Sequence, residues 1–319
     1  MDIDRRTLIA GASAFSAASL SGLPAHAASP LATAQAPGFY RYKMGDLQIT
    51  AINDGVFRRP IETLVSAADL PTSKALLDEA TLPNDALTIS FTTLVVNDGK
   101  KLTLLDTGNG NSGAPTSGTW MSNFRAAGFT PEQVDTIVIS HFHGDHINGM
   151  RLKEGTTVFA NAEVMVPEAE WAFWTDEAKA AAAPEGMKPA FANVKRVFDP
   201  MKAAVKQYQP GKEVVSGITT IASYGHTPGH MAFAVGGKLL VMSDAANHPA
   251  VFVRNPAIKL VFDMDGAVAE ATRRKLLDMA IADKLQVAFY HAPFPATGTI
   301  VKDGASGYRM VPTAWNPAV

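Results

Sequence analysis

Along this chain, short apolar runs punctuated by turn residues give way twice to helical spacing. Ile89 to Val96 and Lys101 to Leu105 are apolar strands separated by Asn97-Asp98-Gly99, a triplet that predicts a hairpin. Asp46 to Ile52 alternates loosely and stops at Asn53-Asp54-Gly55, which reads as a turn. Thr119 to Ala127 has helical spacing and ends at Gly128, with Pro131 beyond. The β-branched run Thr136-Ile137-Val138-Ile139-Ser140 then predicts a buried strand. Strands resume at Gly217–Ser223, Met231–Val235 and Lys238–Met242, the last two as a hairpin around Gly236-Gly237. Asp265 to Ala282 is the clearest helix, with Asp265 placed to cap it and Val268, Leu276, Leu277, Met279, Ala280 and Ile281 offered for burial. Gln286 to Tyr290 reads as the last core strand. Residues 167–204 are Ala-rich with clustered aromatics and predict helices inserted over the site. Strands, helices, strands, helices, with each half ending its strands on His or Asp, predict an α+β fold in which two sheets lie between helix layers.

Composition bounds the function. With 319 residues, 47% of them hydrophobic, the chain can bury a large core. A net charge of −2 and a pI near 6.4 give no footprint for nucleic acid. The body has no stretch of 18 uncharged apolar residues, so no membrane span is expected there. Cysteine is absent, so a metal would have to be held by His and carboxylates. Arg5-Arg6, a weakly apolar run to Leu23 and Ala25-His26-Ala27 resemble a twin-arginine export signal over residues 1–27, which implies a periplasmic protein. Residues 28–38 then form a linker and 39–319 a single domain.

The chemistry concentrates at His141-Phe142-His143-Gly144-Asp145-His146, directly after the strand at 136–140. By the two-residue period His141 and His143 point to one side, while Asp145 and His146, past the Gly144 turn, can face another. One loop could therefore feed two adjacent metals. His226 and His291 also fall at predicted strand ends, as does Asp244. Seven ligands suffice for two metals sharing a carboxylate and a water. His230 reads as a partner that orients the loop carrying His226, and Asp106 as a hydrogen-bonding neighbour of His141. His248 is a pocket or surface histidine.

His-x-His-x-Asp-His, followed by Gly225-His226-Thr227-Pro228-Gly229-His230, Ser243-Asp244 and Tyr290-His291, resembles the metallo-β-lactamase superfamily. The resemblance implies a four-layer αββα sandwich. It also implies that His141, His143 and His226 hold one divalent metal, that Asp145, His146 and His291 hold a second, and that Asp244 bridges them. Zinc suits such a set, with Mn, Fe or Co admissible. A bridging hydroxide would then attack a carbonyl carbon or phosphorus centre, with Asp145 and Asp244 serving catalysis. The lack of cysteine and the presence of Asp244 argue against β-lactam hydrolysis, and no basic tail for glutathione is evident. Ala36-Pro37-Gly38-Phe39-Tyr40-Arg41, Leu105-Asp106-Thr107-Gly108, the run Ala127 to Asp135 and Gly307 to Pro312 are similar to methyl parathion hydrolase and its lactonase and arylesterase relatives. That likeness implies an apolar ester or lactone substrate, a pocket gated by Trp174 and Phe191, and a homodimer. The aromatic expected near Gly113 is missing, which favours lactones or aryl esters over organophosphate triesters. A metal-stabilised binding protein is the reading from another class.

Overall fold

A computed structural model describes residues 29, 31–304 and 307–318, and Pro37–Val319 form one compact unit. The export signal expected over residues 1–27 lies outside the described residues. The first sheet contains seven strands in chain order: β1 (Phe39–Met44), β2 (Leu47–Pro60), β3 (Ala86–Asn97), β4 (Leu102–Leu105), β5 (Thr136–Val138), β6 (Glu163–Pro167) and β7 (Lys206–Tyr208). The second sheet is likewise sequential, from β8 (Glu213–Val215) through β9 (Ile218–Ala222), β10 (Met231–Val235), β11 (Leu239–Ser243), β12 (Gln286–Phe289) and β13 (Thr297–Asp303) to β14 (Gly307–Pro312). Both are mixed, with β4 to β7 parallel to one another and β11 parallel to β12.

The two-residue period explains why nearly continuous apolar runs form these strands: each serves two cores at once. Leu94 and Val96 face the layer between the sheets, and Val95 faces the other way. Val138 joins the inter-sheet core, whereas Ile137 and Ile139 pack outward with Phe124, Val194 and Phe198. In the second sheet Val241 and Ala288 look inward, while Leu240, Met242, Val287 and Phe289 pack with Leu276, Leu277 and Ala280. The outer helices are α1 (Leu70–Glu79), α2 (Trp120–Ala126), a single turn α3 (Gly144–Ile147), α4 (Glu168–Trp174), α5 (Glu177–Ala182), α6 (Lys188–Phe198) and α7 (Gly266–Ala282). The expected four-layer αββα sandwich is the observed fold. Asp265 caps α7, its carboxylate accepting from the N–H groups of Ala267 and Val268.

Several local expectations need correction. Asn53-Asp54-Gly55 is an irregularity inside β2, where the register with β3 shifts between Asn53 and Val56. Gly55 sits at φ +89°, and a side chain there would strike the Thr116 carbonyl. The segment 39–44, not foreseen as a strand, pairs antiparallel with β2. Gln286–Phe289 is not the last strand, because β13 and β14 follow and Ile300 and Tyr308 enter the core. Val268, expected inside, is 42% exposed, since α7 turns its Leu276–Leu277–Ala280 side to the sheet.

Candidate metal centre

β5 delivers the 141–146 loop, and α3 carries Asp145 and His146 to the far side of it. The loops after β9, β11 and β12 bring in His226, Asp244 and His291 from the second sheet. The seven residues form two groups, His141, His143, His226 and Asp244 in one and Asp145, His146 and His291 in the other. Within each group one ligand atom from every residue lies within 4.8 Å of the rest. Asp244 touches both: its Oδ2 is 3.3 Å from His226 Nε2 and 3.1 Å from His291 Nε2, and its Oδ1 is 3.4 Å from His146 Nε2.

The surrounding partners decide which ring nitrogen is left for a ligand. His226 Nδ1 donates to Asp263 Oδ1 at 2.9 Å, His291 Nδ1 to the Ser90 carbonyl at 3.0 Å and His146 Nδ1 to Asp106 Oδ2 at 2.8 Å. Each Nε2 therefore turns a lone pair into the centre. There these lone pairs meet carboxylate oxygens, and His226 Nε2 lies 3.0 Å from His143 Nδ1. His146 Nε2 and Asp244 Oδ1 are buried without any hydrogen-bond partner. Lone pairs facing lone pairs in a buried site call for protons or metal cations between them, and this all-imidazole and carboxylate set fits divalent metal ions.

Charge coupling points the same way. Burial pushes His141 well down and takes His143 to about 3. Burial opposes the charged form of His226 too, but Asp244 and Asp263 outweigh it and lift this ring to about 9. His291 is raised by Asp244 and Asp145 against its own desolvation. With its pKa raised, His226 keeps its proton below about 9 in the metal-free centre, and an incoming cation must expel it. Zinc affinity should therefore fall as pH drops from 8 to 6, with proton release at pH 7 seen by calorimetry in buffers of different ionisation enthalpy. A pH-independent affinity would contradict this arrangement.

Other expected site residues take more specific places. Asp106 accepts from Ser140 N, Ser140 Oγ and His146 Nδ1, and so steers His146 while bracing the residue before His141. His230 braces the His226 loop, its Nδ1 facing Ser223 at the loop's start, and also reaches Asp244, whose N–H donates to its Nε2 at 3.1 Å. His248 neither lines the pocket nor lies on the surface. It is buried, and its Nδ1 caps the π-helical turn Pro249–Val253 through Ala250 N. Burial, followed by the charge of His291, lowers it to about 4.

Trp174 and Phe191 are also corrected. They line a separate cavity of about 410 Å³ within the helical layer, their rings 4.8 Å apart, because α4 turns Trp174 toward α6. The pocket over the two ligand groups, about 440 Å³, is walled instead by Phe57, Arg59, Ile89, Phe91, Leu260 and Phe262. Gly113 lines it as well, and a side chain there would meet Ser117 Oγ at 2.1 Å.

Three residues that sequence reasoning passed over brace the centre. Glu170, fully buried in α4, accepts from Phe142 N at 3.0 Å and Trp174 Nε1 at 2.8 Å through Oε2. Its Oε1 accepts from Gly229 N at 2.7 Å, so one carboxylate ties the His141–His143 loop to the His226 loop. Burial pushes its carboxyl up, and the surrounding donors pull it back. Asp263 holds His226 and is itself held by the buried Arg273 at 3.0 Å. Spacing offered no signal for the bracing, since the contacts that carry it run from Glu170 to Phe142 and Gly229 and from Asp263 to His226.

A family model described as the metallo-beta-lactamase superfamily matches residues 86–291. The chain belongs to that superfamily. Its members normally hold divalent metals, and both ligand groups fall within or at the edge of the matched span. Among solved structures, the hydrolase AbOPH of the β-lactamase superfamily superposes with TM-score 0.82 at 29% identity, over 89% of this chain and 100% of that one. AidC, a dizinc quorum-quenching lactonase crystallised with a product, gives TM-score 0.80 at 24% identity, over 88% and 98%. A probable metal-dependent hydrolase from Staphylococcus aureus gives 0.69 at 18%, over 86% and 100%. No curated protein matches the chain. Among the described residues no helix is long and apolar enough to cross a membrane.

Proposed function

We propose that this protein is a dinuclear metal-dependent hydrolase that opens lactones or cleaves aryl esters. The observation that carries the reading is the apolar-walled pocket of about 440 Å³ whose floor is made by His143, Asp145, His226, Asp244 and His291. His141, His143 and His226 would hold one ion, Asp145, His146 and His291 the other, and Asp244 both. Such ions, zinc in the first instance, supply Lewis-acid polarisation of the carbonyl and acidify water near neutral pH.

The chain's own groups do the rest. Asp145 is the acid of the centre most open to the pocket, 22% exposed against 5% for Asp244. Tyr290 fixes its backbone by donating to the Asp145 carbonyl at 2.5 Å. The Asp145 carboxylate is placed to take a proton from attacking water and return it to the leaving oxygen. Asn148 Oδ1 accepts from Asn193 and Arg196, which leaves its amide N–H group for the pocket beside Gly144. Ile89, Phe91 and Leu260 exclude water and favour an apolar substrate body. The fold likeness to a lactonase makes acyl-homoserine lactones reasonable first candidates. Periplasmic location is proposed on Arg5-Arg6 and Ala25-His26-Ala27 alone.

A hydrolysis panel of lactones, aryl esters, phosphotriesters, β-lactams and S-lactoylglutathione on metal-analysed protein tests this reading. Lactones or aryl esters should be preferred, chelation should abolish turnover, and added divalent metal should restore it. Full activity in metal-free protein would overturn the mechanism, and preference for another class would overturn the substrate.

A further inference from the structure

Arg58 and Arg59 are neighbours near the end of β2, and the two-residue period sends them to opposite faces. Arg58 is exposed and pairs with Asp85 at 2.9 Å. Arg59 is half-buried, lines the pocket over the ligand groups and, among the described residues, has no carboxylate within ion-pair distance. Its guanidinium carbon lies 4.9 Å from the centre of the Phe262 ring and 5.4 Å from that of Phe57. Two aromatic faces thus hold the cation at the pocket wall and restrict its rotamers without neutralising it. Among the described residues it is the one Lys or Arg side chain lining this cavity, whose other charges belong to the ligand groups. A planar, pre-positioned guanidinium with its donors unspent is the group that binds carboxylate or phosphate oxygens in pairs.

We propose that Arg59 reads an anionic group on the substrate, a carboxylate, sulfonate or phosphate carried away from the scissile bond. The preferred substrates are then amphiphilic esters or lactones. Their apolar body lies against Ile89, Phe91 and Leu260, and their negative end meets Arg59. What is cleaved rests on the hydrolase reading above, but anion recognition does not.

The test compares zinc-loaded wild type with Arg59→Met, which keeps a side chain of similar length between the two rings. In calorimetry, glutarate, adipate and pimelate are each set against the monocarboxylate of the same chain length. Both members of a pair offer one carboxylate to the metals, but only the diacid has a second. Wild type should bind at least one diacid about tenfold or more tighter than its monoacid, the worth of one charge-assisted hydrogen bond, and Arg59→Met should bind the two alike. Mono-4-nitrophenyl glutarate against 4-nitrophenyl pentanoate repeats the comparison in KM. Equal affinities throughout in wild type, a measurement that needs no variant, would overturn the proposal. So would a diacid preference that survives in Arg59→Met. A diacid preference lost in the variant, with neither ester hydrolysed, would uphold the anion site and sink the hydrolase reading. Hydrolysis of both esters without diacid preference would do the reverse.

Discussion

Asp244→Ala should yield a folded protein whose metal content drops well below the roughly two ions expected of the intact centre. Its kcat/KM on a lactone or aryl ester should fall by more than about 100-fold, since even partners one shell removed from a metal are worth 10–100-fold. Asp244 is the acid that reaches both ligand groups, with His226 and His291 on Oδ2 and His146 on Oδ1. Its removal leaves five neutral imidazoles, with the more open Asp145 as the one carboxylate of the set to offset two dications. Asp244→Asn keeps the shape but not the charge, and should lose metal as well. Elemental analysis and steady-state kinetics on the same samples check this. Unchanged metal and rate would remove the shared-ligand assignment.

Arg273→Met is expected to carry the largest cost in stability, about 3–5 kcal/mol, the range for breaking one side of a buried ion pair. Arg273 is 1% exposed and donates to the carbonyls of Ala245, Pro256 and Ile258 as well as to Asp263. Methionine fills much of the volume but leaves three carbonyls without donors and Asp263 with His226 as its remaining charged partner. Because Asp263 sets the ring of His226, zinc affinity should weaken with stability. Arg273→Lys would restore the charge without the fork and recover only part of it. Denaturant titration of metal-free and zinc-loaded protein measures both effects. A loss under 1 kcal/mol would show that the network is relaxed elsewhere.

The ligand set was legible because metal chemistry leaves residue types that few other roles demand. His141, His143, Asp145 and His146 share one loop, and His226, Asp244 and His291 each end a strand whose apolar run is itself readable. The helix cap at Asp265 and the turn at Asn97-Asp98-Gly99 are equally local, fixed by side chain and backbone a few residues apart. The errors fell where a residue's meaning depends on a remote partner. Asn53-Asp54-Gly55 has turn composition, yet Asp54 is buried, accepting from Asn109 and Trp120, and the strand runs on through it. Trp174 and Phe191 have the aromatic character of a pocket gate, but Glu170 and the packing of α6 hold them in the helical layer.

By itself the sequence determined the two-sheet architecture, many of its core strands and the residues able to hold metal, because periodicity and donor chemistry are written in near neighbours. Tertiary structure alone decided that Glu170, Asp263 and Arg273 set the loops and rings. It alone decided that Arg59, not Trp174 or Phe191, lines the pocket. Those outcomes depend on contacts between segments far apart in sequence, and the distance between such segments is a property of the packed sheets.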